Sequence, residues 1–157
     1  MQTGASLRPD QVASGPSLPQ EAGKAPYRPK VAGKVGFFFG PLGGALIVAV
    51  NLRRMGHADK AKRTLVWTFL VAILACVILV RTPDPFGKLV GLAIELGCLL
   101  IFPPLQESEF GDWQAAHEGV SPSNGWRSIG WGVVGLLMFF ALLVAVAVTL
   151  PRWLTGL

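Results

Sequence analysis

Long uncharged apolar runs alternate along the chain with short polar or charged connections, at 35–52, 64–80, 89–102 and 129–150. At ~1.5 Å of rise per residue, a helix needs about 20 apolar residues to cross ~30 Å of hydrocarbon. The run 129–150 meets this on its own. Trp126, Arg127 and Trp131 flank one end and Arg152 and Trp153 the other, amphipathic side chains suited to the level of the head groups. Arg63 and Arg81 bound the second run. The third is short, contains Glu95 and stops at Pro103 and Pro104; carried to residue 105, it still predicts a helix. The pattern therefore predicts an all-α, multi-pass integral membrane bundle of four hydrophobic segments, about 35–52, 64–80, 89–105 and 129–150, the first either crossing or re-entrant.

The first segment is the ambiguous one. It is marginally long for a crossing, and Pro41 sits inside it with glycines on both sides. Charge sharpens the question, because cytoplasmic connections carry the excess of Lys and Arg. Four crossings with the N-terminus inside place eight of the 14 Lys and Arg residues inside and six outside, and reversal exchanges these numbers. A first segment that dips in and returns places eleven inside and three outside. Against a re-entrant turn stand three consecutive phenylalanines and the cost of unsatisfied backbone in lipid, so such a turn needs cover from the other helices. Both topologies stay open.

The connections predict their own structure. Gly56 suits a left-handed helix C-cap, and Asp59 suits the first turn of the next helix, giving a hairpin with a basic tip. Residues 81–88, with Pro83 and Pro85, make a tight turn between antiparallel neighbours. Residues 105–118 carry Glu107, Glu109, Asp112 and Glu118 with Phe110 and Trp113, and predict a short interfacial helix. Residues 1–30, with five prolines and no apolar periodicity, predict a disordered tail ahead of a membrane domain at 31–157. The tail has no apolar core of a cleavable signal, so the first segment is expected to direct insertion.

Composition agrees. Of 157 residues, 52% are hydrophobic and 15% charged, and a mean hydropathy of +0.51 excludes an ordinary water-soluble domain. The net charge of +5 gathers beside the apolar segments, where Arg53, Arg54, Lys60, Lys62 and Arg63 are placed to meet lipid head groups. Nucleic-acid binding is not indicated, because the basic residues are juxtamembrane and lack interleaved aromatics. Phe39-Gly40-Pro41-Leu42, then Asn51, Arg53 and Gly56, resembles small multi-span bacterial inner-membrane proteins of unassigned function in which a Gly-Pro-Leu segment leads to Asn-x-Arg-x-x-Gly. The likeness covers about residues 36–64, with Met55 where Leu is usual. It implies an integral membrane protein and transfers no activity.

Candidate chemistry is sparse. Glu95 comes first, since a carboxyl in mid-helix costs about 2.5–3.5 kcal/mol to insert and is either functional or a satisfied structural group. It shares a helix face with Gly87, Gly91 and Cys98, which predicts a close helix contact, and a protonated Glu95 could donate to the Phe37 carbonyl that Pro41 leaves without its helical partner. Gly36, Gly40 and Gly44 recur every four residues as a ridge for another helix, from this chain or from a partner, and Ala141, Ala145 and Thr149 make a second small-residue stripe. Asn51 with Arg53 and Arg54 could hold a lipid head group, pair with the acids of 107–118 or simply end a helix at the interface. Cys76 and Cys98 read as small hydrophobes, and His57 and His117 share no ligand spacing, so no metal or cofactor is expected. The leading reading is a non-enzymatic accessory, scaffolding or assembly subunit whose partners are membrane lipid and either another membrane protein or its own copies. The alternative is a small oligomeric transporter or channel using Glu95 and the broken first segment.

Overall fold

The computed structural model describes residues 24–83 and 85–149. They form α1 (Pro29–Arg54), α2 (Ala58–Arg81), α3 (Phe86–Ile101), α4 (Pro104–Ala116) and α5 (Trp126–Thr149). The fold is an all-α helical bundle. Four segments are long and apolar enough to cross a membrane: α1, α2, α3 continuing into α4, and α5. Each helix starts several residues before its apolar run. In α2, for example, Ala58 to Arg63 add a charged turn and a half ahead of the apolar run.

Although it is long enough to cross, α1 is bent back on itself. A straight helix of 26 residues would hold its ends about 39 Å apart. Here the side chain of Asn51, one turn from the end, hydrogen-bonds both the N–H and the C=O of Tyr27, two residues before the start. Gly40, at φ 81° and ψ 171°, makes the reversal in a region of backbone space that only glycine occupies without strain. Pro41 restarts the helix, because it needs no N–H partner at a first position and disfavours helical geometry in the residue before it. The two arms, 29–39 and 41–54, are ~15 and ~20 Å long, and neither alone spans ~30 Å of hydrocarbon. The first segment is a helical hairpin.

Glycines let this hairpin close. A methyl group on Gly44 would lie 2.9 Å from the Gly36 Cα on the opposite arm, so the arms meet backbone to backbone. Gly36, Gly40 and Gly44 are thus not one continuous ridge, because the middle residue is the bend and the outer two face each other. The Phe102 ring at the end of α3 fills the notch they leave, 2.8 Å from where a Cβ of Gly36 would stand. On the other side, Gly43 packs against Gly132 and Gly135 of α5, and the Phe39 ring covers Gly132 at 2.7 Å from the corresponding point.

The hairpin is the core, and α2, α3 and α5 are arranged around it. Ala32, Val35, Ala45, Ile47, Val48 and Leu52 are buried with Ala61, Cys98 and Phe102. Non-helical backbone at membrane depth has to be enclosed by protein, and Phe139 of α5 lies 3.7 Å from the Cβ position of Gly40. The α5 side of the turn is thus covered, and Gly40 itself is half-buried.

The bend assigns the ends of the bundle. Residues 24–29, 51–60 and 103–128 gather at one end, and the turn between α2 and α3 with the end of α5 lies at the other. The tail boundary expected at residue 30 moves accordingly. Pro26 and Tyr27 are buried and Pro29 opens α1, whereas the part of that expectation falling on residues 1–23 lies outside the described residues.

Candidate functional site

Where the hairpin closes, its two ends are joined by a polar clasp. Gly56, at φ 89°, ends α1 with its N–H on Arg53 O and the His57 N–H on Leu52 O, the paired arrangement of a left-handed cap. That cap leaves Asn51 facing inward. Its Oδ1 accepts from the Tyr27 N–H at 2.8 Å, and its Nδ2 donates to Tyr27 O at 2.9 Å and to Gln106 Oε1 at 2.7 Å. The amide thus pairs with both backbone groups of Tyr27 as a neighbouring strand would. Gln106, from the first turn of α4, passes the connection on by donating to Pro29 O at 3.3 Å. Both amide side chains are fully buried and all their buried polar atoms are satisfied.

Around this pair the backbone of 25–27 is held from two sides. Arg54 donates to Ala25 O at 2.9 Å and lays its guanidinium 4.7 Å from the centre of the Tyr27 ring. Ser123, before α5, donates through its hydroxyl to Ala25 O and through its N–H to Pro26 O. At the rim, Lys60 of α2 is paired with Glu109 of α4. Partial burial opposes ionisation of Glu109, but the bonds from Lys60, its own backbone and Ser108, with the Lys60 charge, outweigh it and hold the carboxyl below its ordinary range.

The expected head-group residues therefore divide. Asn51 is internal, and Arg54 and Lys60 are engaged within the chain. Arg53, Lys62 and Arg63 remain exposed at the same end. The acids of 107–118 do meet the basic hairpin tip, through Lys60 and not through Arg53 or Arg54.

Glu95 departs most from expectation. It does not reach Phe37 and has no hydrogen bond or ion pair among the described residues; its side chain is exposed. Depth along the bundle explains this. Gly36 lies beside Cys98, 2.9 Å from its Cβ to the Gly36 Cβ position, and the two helices run oppositely there. Four residues further into the bundle, the hairpin reaches its apex at Gly40 while α3 is near residues 94–95. Beyond the apex, among the described residues, the Cβ position of Gly91 has no neighbour within 4 Å. Ala141 and Ala145 of α5 are also exposed.

Comparison of the chain with protein-family models, curated proteins and solved structures gives no match. The site is thus read from geometry alone. Among the described residues no group of His, Cys, Asp and Glu could hold a metal ion, and Cys76 and Cys98 are free and buried. Apolar grooves open at the outer surface instead, one of about 350 Å³ lined by Leu42, Leu46, Leu65, Phe69 and Met138. Tyr27, Gln106, Ser123, Gly132 and Gly135 were not singled out by the sequence. The signals were present but weak: a lone tyrosine in the proline-rich stretch, an amide directly after Pro103 and Pro104, and the spacing Gly132-x-x-Gly135.

Proposed function

We propose that the protein is an integral membrane accessory or assembly subunit, acting through helix packing, with its clasp end in the cytoplasm of a bacterial cell and the bundle in the inner membrane. The observation that carries this reading is the contrast between a closed interior and open outer faces. Glycines meet within the α1 hairpin and between α1 and α5, Cys98 and Phe102 close the α3 side, and the buried amides are occupied in holding the hairpin shut. The outer faces keep small and polar groups unused, Ala141 and Ala145 on α5 and Glu95 on α3. Orientation is supported by charge. The basic residues of 24–34 and 53–63 with Arg127 lie toward the clasp end, against Arg81 and Lys88 at the other. Arg53, Lys62 and Arg63 meet anionic head groups there. The resemblance to small multi-span bacterial inner-membrane proteins fits the same location.

A transporter or channel protomer is the second reading, favoured by a carboxyl at the depth of the hairpin apex. Purification in a mild detergent separates the two. A heterologous membrane protein in near-equal amount supports the subunit reading, whereas a homo-oligomer whose ion flux in vesicles depends on Glu95 overturns it.

A further inference from the structure

The face of α3 that packs on the hairpin continues past the apex with no occupant among the described residues. Cys98 and Phe102 are buried against the hairpin, and Gly91 and Glu95 extend the same face toward the other end of the bundle. Leu92 and Leu96, both about half exposed, border it. A glycine with open space one turn from a carboxyl lets a helix backbone come close enough for its side chain to bond that carboxyl. A carboxyl in mid-helix costs about 2.5–3.5 kcal/mol to insert, a cost that a donor beside it offsets.

We propose that this face docks a transmembrane helix of another protein that carries a Lys, Arg or His near its midpoint. Charge complementarity selects this occupant over a second copy. Copies inserted in the same orientation bring Glu95 to the depth of Glu95, where two carboxyls pair only if one is protonated, and the nearest cation on the α3 face, Lys88, lies seven residues away, about 10 Å along the axis, whereas a cationic helix pairs with the ionised carboxylate directly. No described cation of the chain lies in the middle of an apolar segment. The proposal rests on the subunit reading and names the chemistry of its partner.

The test uses the full-length chain in lipid vesicles with a fluorescent synthetic helix of Leu and Ala bearing one central Lys, and with the same helix bearing Leu instead. The Lys helix is expected to associate roughly five- to thirty-fold more tightly than the Leu helix. Glu95→Leu abolishes that preference, and so does Leu92→Trp, which leaves the carboxyl and obstructs the face. Equal association of both helices overturns the proposal, as does a preference that survives Glu95→Leu or self-association through Glu95 that displaces the helix. Binding gained only in Arg152→Ala also overturns it, since the chain's own C-terminal segment would then be the occupant. Because the probe is synthetic, a failure here beside a co-purified natural partner removes the site alone, and success with no natural partner removes the subunit reading alone.

Discussion

Two stretches of this chain have the same grammar and opposite fates. In α1, glycines four apart lead to Asn51; in α3, Gly87 and Gly91 lead to Glu95. The glycines of α1 close on each other and on Phe102, and Asn51 is enclosed by Tyr27 and Gln106. Among the described residues, a Cβ on Gly91 would have no neighbour within 4 Å, and Glu95 has no hydrogen bond or ion pair. Small residues followed by a polar one thus mark a surface that can be approached closely. Whether the chain itself supplies the approaching element depends on where the hairpin ends.

Substitutions should separate the two stretches sharply. The largest effect is expected at the hairpin's crossing with α5, where Gly135→Leu would force a side chain into the Gly43 backbone; no folded monomer should be recovered by size-exclusion chromatography in detergent. Next comes Asn51→Leu, which leaves Tyr27 N–H and O and the Gln106 Oε1 without partners. At about 1–3 kcal/mol for a buried unsatisfied group, it should lower the thermal unfolding midpoint clearly, and Asn51→Asp, which exchanges two donors for a charge, should lower it more. Gly40→Ala places a Cβ in glycine-only backbone and should cost about 1–3 kcal/mol in the same measurement. Glu95→Leu should leave the midpoint unchanged or raise it. If Glu95→Leu instead destabilises the isolated chain as much as Asn51→Leu does, the contrast between the two stretches is wrong.

The smallest effect concerns the rim. Glu109 has a carboxyl held below its ordinary range, so its pairing with Lys60 contributes above about pH 4.3, the unfolded value, and is lost as pH falls through the folded value. An exposed pair of this kind contributes about 0–1 kcal/mol. Hydrogen exchange should show α4 loosening slightly below pH 4, and Glu109→Gln should remove that step.

Much of the fold was legible because lipid imposes long continuous apolar runs, and α2, α3 and α5 lie where those runs lie. The helix α4 and the left-handed cap at Gly56 followed from local composition in the same way. The bend was half legible: Gly40-Pro41 supplied a break and the basic clusters on both sides supplied a reason, but neither says that the arms have a glycine contact at which to close. The clasp was not legible. Asn51 bonds partners 24 and 55 residues away, and no periodicity connects such positions. Glu95 was found but turned the wrong way, since a helix-face argument identifies its neighbours on α3 and says nothing about how deep the hairpin reaches.

The account turns on α1 entering and leaving by one face of the membrane. Cysteine accessibility in intact cells and inverted vesicles tests this directly, with single substitutions Lys30→Cys, His57→Cys, Pro85→Cys and Asn124→Cys in a background lacking Cys76 and Cys98. The hairpin predicts that the variants at 30, 57 and 124 label from one side, the cytoplasmic one, and the variant at 85 only from the other. Labelling of the 30 and 57 variants from opposite sides would contradict it.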